Sequence, residues 1–492
     1  MYYLGIDLGT SSVKVLAMDE NHNIAGEAKR EYPVDFPHDK WAIQDPADWW
    51  EKTVEAIREV VQTAGIGADQ VAAISFSGQQ HGLVGLDENG DVLFPCILWC
   101  DNRTEQECID ITAHFTSAKL REYTANKALT GFTAPKVLWV KRHQRELFDQ
   151  MAHILLPKDY LRYKLTGDFV MDTSDAAGTL MLDVKNRVWS APMLDYLGVD
   201  ESVMPSLCES YETTGFLHDE ALDLLGLTGK VRVVGGAGDN AAGAVGAGVV
   251  KEGLVLVTLG TSGVVFAPQE TFAVDDACKL HMFCDATGKY HSMGVALSAA
   301  NSLQWWADTT AVSVEELLSE AEKARLGSGK VVFLPHLMGE RFNANVKGAF
   351  VGMHMKTDRG AMTRAVLEGV VYYLRDYLEI SRSLGVKADA IRVIGGGAQS
   401  AFWKQMLADV MNVPVEELST NQGGALGACI LAMVGDGRFN TVEQGCASII
   451  EVSRVIQPIA ENVEKYEKGY ALYKKVYPAL KDWFEYADSL GE

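Results

Sequence analysis

The run Val231-Arg-Val-Val-Gly-Gly-Ala-Gly-Asp-Asn-Ala-Ala-Gly-Ala-Val-Gly passes from an apolar strand pattern into a glycine cluster. It continues through Asp239 and Asn240 into small residues that can open a closely packed helix. A carboxylate at such a junction is suited to take a proton from a bound hydroxyl. The same place also suits a helix cap, and the residues alone leave both readings open. Gly236-Ala-Gly-Asp-Asn-Ala fits the loose dinucleotide pattern too. That reading wants an acidic strand end about 20 residues later, where the chain has Gly253-Leu-Val-Leu-Val-Thr-Leu-Gly-Thr.

Two segments share a pattern that suits phosphate. Leu4-Gly-Ile-Asp-Leu-Gly-Thr-Ser-Ser-Val-Lys-Val and Leu256-Val-Thr-Leu-Gly-Thr-Ser-Gly-Val-Val-Phe are each an apolar strand, a Gly-Thr-Ser turn and a second strand. Gly9 and Gly260 leave no side chain in a ligand's way, and Thr10, Ser11, Thr261 and Ser262 add hydroxyl donors. Asp7 precedes the first turn. A carboxylate there repels phosphate unless a divalent cation lies between, and Mg²⁺ binds through carboxylates, waters and phosphate oxygens. Asp7 is therefore the candidate metal ligand, through water; the plain alternative is an ordinary strand-end Asp.

Gly395-Gly-Gly-Ala-Gln-Ser follows the apolar run Ile391–Ile394. Bare glycines there let a flat ring or ribose approach the backbone, or simply make a tight turn. In Ser77-Gly-Gln-Gln-His-Gly, the polar side chains of Gln79, Gln80 and His81 stand after the apolar run Val71–Phe76. That position at a strand's C-terminal end suits a polyol, the alternative being a structural histidine. Asp101 in Trp99-Cys-Asp-Asn-Arg either binds a sugar hydroxyl or pairs with Arg103. The chain has no GxxxxGK[ST] loop, protein-kinase signature set, HExxH or GxSxG.

Strand and helix signals alternate from end to end, which predicts an α/β protein. A length of 492 residues predicts two to four units. The repeated strand–turn–strand narrows this to two related domains with a break near Val245–Gly253. Tyr466, Tyr470, Tyr473 and Tyr477 recur at helical spacing and predict a helix packed on the second domain. A net charge of −22 argues against nucleic acid and anionic membrane as partners. It also leaves phosphate to backbone N–H groups, a few local cations or a metal. Apolar runs such as Ala241–Val250 are too short to span a membrane, and the start lacks a basic region followed by an apolar one. The eight cysteines include no CxxC and read as reduced thiols. A cytoplasmic protein is expected.

Taken in order, these segments resemble the FGGY family of carbohydrate kinases. Gly131-Phe-Thr-Ala-Pro-Lys-Val-Leu-Trp-Val resembles the family's first signature, and Gly348-Ala-Phe-Val-Gly-Met with Ala365-Val-Leu-Glu-Gly its second. Gly78–Gly82, Leu155–Gly167, Ser174–Thr179 and Gly238–Gly246 resemble its ketopentose-kinase branch. The resemblance implies two actin-like, ribonuclease H-type domains around a central cleft. Residues 1–244 would bind sugar and residues 245–492 nucleotide. It implies ATP and Mg²⁺, phosphorylation of the terminal hydroxyl of D-xylulose, and a homodimer. Asp239 would be the general base, with Asn240 beside it on the substrate and Gln80 and His81 on the ketose. Asp7, Thr10, Ser11 and Lys14 match the first phosphate segment; Gly260, Thr261 and Ser262 match the second; Gly396, Gly397 and Gln399 match the adenosine segment. The alternatives are a family member acting on ribulose, gluconate or glycerol, or a non-catalytic sugar sensor of the actin-like class. The chain departs from the family at Gly339-Glu-Arg-Phe-Asn-Ala-Asn-Val-Lys-Gly, which is shortened, and at Asn421-Gln-Gly-Gly-Ala-Leu-Gly.

Overall fold

In this computed structural model the described residues are 1–340, 345–420 and 422–490. Residues 341–344 of the shortened stretch, and Asn421 at the head of the other departure, lie outside them. The chain forms two compact units. The first holds Met1–Val250, Gln269–His291 and Thr420–Ile450; the second holds Lys251–Pro268, Ser292–Ser419 and Glu451–Glu492.

The first unit is built on a mixed sheet. Tyr2–Leu8 and Ser12–Asp19 form the expected hairpin, antiparallel with Leu8 opposite Val13 and Asp7 opposite Lys14. Ile24–Glu31 extends it antiparallel. On the other side Val71–Gly78 runs parallel to Tyr2–Leu8, then come Arg232–Val234 parallel and Thr213–Phe216 antiparallel. Val71–Gly78 is buried along its whole length, as a central strand covered on both faces must be. The helix Pro46–Thr63 packs on the hairpin side. Asp45 caps it by accepting from the Ala47 N–H at 2.9 Å, Pro46 presets the first turn, and Trp49, Thr53, Ile57 and Val60 form the buried stripe.

The second unit repeats this plan. Gly253–Leu259 and Gly263–Gln269 form an antiparallel hairpin. Ala388–Ile394 pairs parallel to the first of these, Val415–Leu418 parallel beyond it, and Val452–Ile456 antiparallel at the edge. The likeness read at two turns thus extends through five strands of each sheet. The helix Ala460–Ser489 buries Tyr466, Tyr470 and Tyr473, which meet the Tyr372 ring at 6.2, 6.0 and 5.5 Å.

The helices Gly423–Gly435 and Val442–Ile449, from the chain's second half, belong to the first unit. Gly423–Gly435 packs against Asp239–Gly246 and Tyr2–Leu8. Its glycines explain the closeness. A Cβ on Gly427 would fall inside the Ala242 carbonyl, and one on Gly5 inside the Ala425 carbonyl. Backbone meets backbone there, so nothing larger than glycine fits. Among the described residues no helix is long and apolar enough to cross a membrane.

Candidate active site

Three adjacent strand ends of the first unit gather most of the expected residues. Val71–Gly78 is the middle one. Asp7 stands opposite Ser77 on one side, and Ala237–Gly238 pairs with Ser77 and Gly78 on the other. Asp239 follows directly as the first residue of its helix; the N-cap is Gly238, and no side chain caps this end. Asp239 is therefore not the helix cap. Its Oδ1 accepts from Asn240 Nδ2 at 2.8 Å.

Burial pushes the Asp239 carboxyl up to about 7, and the negative charge of Asp7 adds to the rise. Its surface is nonetheless exposed to solvent. Contact with water limits the rise, while the dense protein around the carboxylate and the Asp7 charge drive it. Asp7 is half-buried and also raised by burial, with Ser77 Oγ donating to its Oδ1 at 2.7 Å and Lys14 pulling it back. A Cβ on Gly424 would lie 2.9 Å from Asp7 Oδ1, so the start of the Gly423–Gly435 helix meets this carboxylate.

The first Gly-Thr turn closes with the Gly9 N–H donating to Ser12 O at 2.9 Å. Thr10 Oγ1 accepts from Trp99 Nε1 at 2.9 Å, and Ser11 is exposed. Lys14 bridges Glu27 at 3.0 Å and donates to Gln422 Oε1. Gln80 is buried and donates to Ser174 O at 3.2 Å, tight against Gly238. His81 is half-buried; its Nδ1 donates to Gly178 O at 2.6 Å, which places the ring proton on Nδ1. Asp101 is fully buried and accepts from Ala42 N, Arg103 N and the Arg103 guanidinium at 2.7–3.0 Å. Of its two readings, pairing with Arg103 is the one found, and that guanidinium lies 3.6 Å over the Trp41 ring.

The remaining expected residues gather in the second unit. The turn Gly260-Thr261-Ser262 closes with Gly260 N–H donating to Ser262 O at 3.1 Å. Thr258 stands opposite Ile394, so the Gly396–Gln399 turn emerges beside it. A Cβ on Gly397 would lie 2.9 Å from Leu259 Cβ. Thr261, Gly396 and Gln399 are exposed.

Sequence reasoning missed a group behind Gly78 and Gly238. Lys158 is fully buried, with Nζ 2.5 Å from Asp159, 2.7 Å from Asp172 and 3.3 Å from Asp175. Ser174 links it to the site, since its carbonyl takes Gln80, its hydroxyl accepts from Gly238 N at 3.1 Å, and it donates to Asp172 at 2.5 Å. The three carboxylates are close enough to share a metal ion, but the Lys158 ammonium is already their cation. One positive charge cannot satisfy three negative ones. Burial raises the Lys158 partners Asp159, to about 6, and Asp175, well above the ordinary value, while the acids hold the ammonium charged. Lys158, Asp159 and Asp175 stood only inside runs read by resemblance.

Two family models divide the chain. That of the FGGY family of carbohydrate kinases, N-terminal domain, matches residues 2–246, and that of the C-terminal domain matches residues 255–435. A xylulose kinase of Bacillus subtilis (strain 168) is 38% identical over 98% of this chain and 97% of its own. One of Escherichia coli (strain K12) is 40% identical over 97% and 99%. The crystal structure of a "xyloylose kinase" from Brucella ovis superposes with a TM-score of 0.94 at 39% identity, covering 98% of this chain and 100% of its own. With both family models matched in order and relatives aligned over nearly the whole length, the chain belongs to the FGGY family of carbohydrate kinases.

Proposed function

We propose that this chain transfers the γ-phosphoryl group of ATP to the terminal primary hydroxyl of D-xylulose, giving D-xylulose 5-phosphate and ADP. The observation that carries the reading is the end-to-end likeness to relatives named xylulose kinase. The grouping of Asp239 with Gln80 and His81 supports it.

Asp239 accepts the hydroxyl proton as the oxygen attacks phosphorus; the raised carboxyl is a better base than an ordinary Asp. Asn240, Gln80 and His81 contact the ketose, and Asp101 acts at one remove by fixing Arg103. Thr10, Ser11 and Lys14, and Gly260, Thr261 and Ser262, contact phosphate, while Gly396, Gly397 and Gln399 take the adenosine. Residues 1–244 serve the sugar, with Thr10, Ser11 and Lys14 on phosphate, and residues 245–492 serve the nucleotide.

Asp7 suits Mg²⁺. It is a hard oxygen donor, held by Ser77, and its charge and that of Asp239 repel each other until a cation intervenes. Bound there through water, the ion would neutralise phosphate charge.

A panel of ketoses and polyols in an ADP-release assay tests the substrate. D-xylulose should give the highest kcat/KM, by about tenfold or more over ribulose, gluconate and glycerol, the scale of one or two polar contacts. A higher value for any of these reassigns the enzyme. The base predicts a pH effect as well. Asp239 must be ionised, so kcat/KM for the sugar should rise with pH along an acid limb. Its midpoint should lie above the ordinary carboxylate value of 3.8 and reach toward about 7. The residual rate of Asp239→Asn should lack that limb. A midpoint at or below 3.8, or the same limb in the variant, would assign the titration elsewhere.

A further inference from the structure

We infer that Lys136, with Thr133, is a positioning residue for sugar binding: it clamps the carbonyl of His81 and so holds that residue in the left-handed conformation that presents its imidazole. The inference rests on the proposed contact of His81 with the ketose.

His81 has φ of 71°. Residues with a Cβ seldom adopt that region, and they stay there only where their surroundings over-determine it. Those surroundings come from the start of the helix Thr133–His143. Thr133 Oγ1 donates to His81 O at 3.0 Å, and Lys136 Nζ donates to the same oxygen at 2.8 Å. The Phe132 ring meets the imidazole edge-on at 5.0 Å. Gly178 O takes Nδ1 from another direction. Backbone and ring of one residue are thus pinned separately.

Lys136 is fully buried, so its side chain is closed off from solvent and from direct contact with a phosphate there. A second hydrogen bond from Nζ, 2.7 Å to Gly131 O, ties the clamp to the turn that precedes its own helix. Burial pushes the ammonium down to about 7. Charged or neutral, the amine keeps N–H groups for both carbonyls, so the clamp does not depend on its charge. Lys136 stands in the run Gly131–Val140, where nothing in the sequence alone shows that it faces His81.

The test is a cycle of Lys136→Met and His81→Ala, singly and together, with KM for sugar, KM for ATP and kcat measured in each. Met keeps the length and removes the donors. Lys136→Met should raise KM for the sugar on the order of tenfold, with KM for ATP changed by less than about twofold. Added to His81→Ala, it should raise sugar KM by less than about twofold, because the residue it serves is gone. A full effect in the His81→Ala background, or none in the wild type, overturns the clamp while leaving His81 in the sugar site. If His81→Ala itself leaves sugar KM unchanged, the sugar contact falls and the clamp falls with it. Should Lys136→Met fail to fold, Thr133→Val removes one donor to the same carbonyl. It should show the same pattern at about threefold, with the same outcomes overturning it.

Discussion

Asp239→Asn should lower kcat by about 10²–10⁴-fold while KM for ATP stays within about threefold, the range for loss of a general base. The substitution is nearly isosteric. The Asn240 side chain still finds an acceptor at the position that now lies 2.8 Å away. What disappears is the ability to take a proton. The sign of the stability effect supplies the control. The folded carboxyl lies above its unfolded value, so its contribution favours the fold below 3.8 and is lost as pH rises through about 7. A neutral amide carries no such loss, so the variant should be no less stable than wild type at pH 8. Retention of more than about a tenth of wild-type kcat, with folding intact, would remove Asp239 from the role of base.

Lys158→Met should be the most destabilising single change of those considered, costing about 3–5 kcal/mol at neutral pH, because it strips the partner from buried charges. Asp159, Asp172 and Asp175 are each fully buried around that ammonium. The loss should depend on pH with a defined sign. Without the cation, the folded-state values of Asp159 and Asp175 rise further above those of the unfolded chain. Their contribution then favours the fold below 3.8 and fades as pH rises through the folded values, which for Asp159 already stand at about 6 with the lysine present. Chemical denaturation of the variant should therefore show a smaller deficit at pH 5 than at pH 8. A deficit that is flat across that range would mean that packing of the lysine stem, and not charge, is what the site loses. A deficit below about 1 kcal/mol would show that the cluster does not need its cation.

Much of the architecture was open to reading because it rests on local chemistry. A Gly-Thr-Ser turn between two apolar runs has few ways to fold, and both hairpins formed as read. The glycine run after Ile394 also makes a tight turn directly after its strand. What escaped was set by contacts between distant residues. Lys158 and Asp159 are adjacent in sequence, but Asp172 and Asp175 reach them from a later strand and a one-turn helix. The left-handed backbone of His81 has only a weak signature, since His is enriched there with Asn and Asp but far more often adopts ordinary backbone. Asp101 showed two acceptable partners in sequence, and only the fold shows Ala42 and Arg103 enclosing it. The Gly423–Gly435 helix is apolar nearly throughout, and its sequence does not say on which sheet it lies.

That last helix has a consequence for biogenesis. The face it covers on Tyr2–Leu8 and Val71–Gly78 is synthesised early, yet its cover emerges about 170 residues after Val250. At ~5–20 residues per second, a ribosome leaves that apolar wall bare for roughly ten to thirty seconds more after Val250 is made. The nascent amino-terminal half must wait through this interval with a sticky, incompletely roofed sheet. In that window chaperone engagement, slow elongation or a premature stop decides whether the polypeptide matures or aggregates.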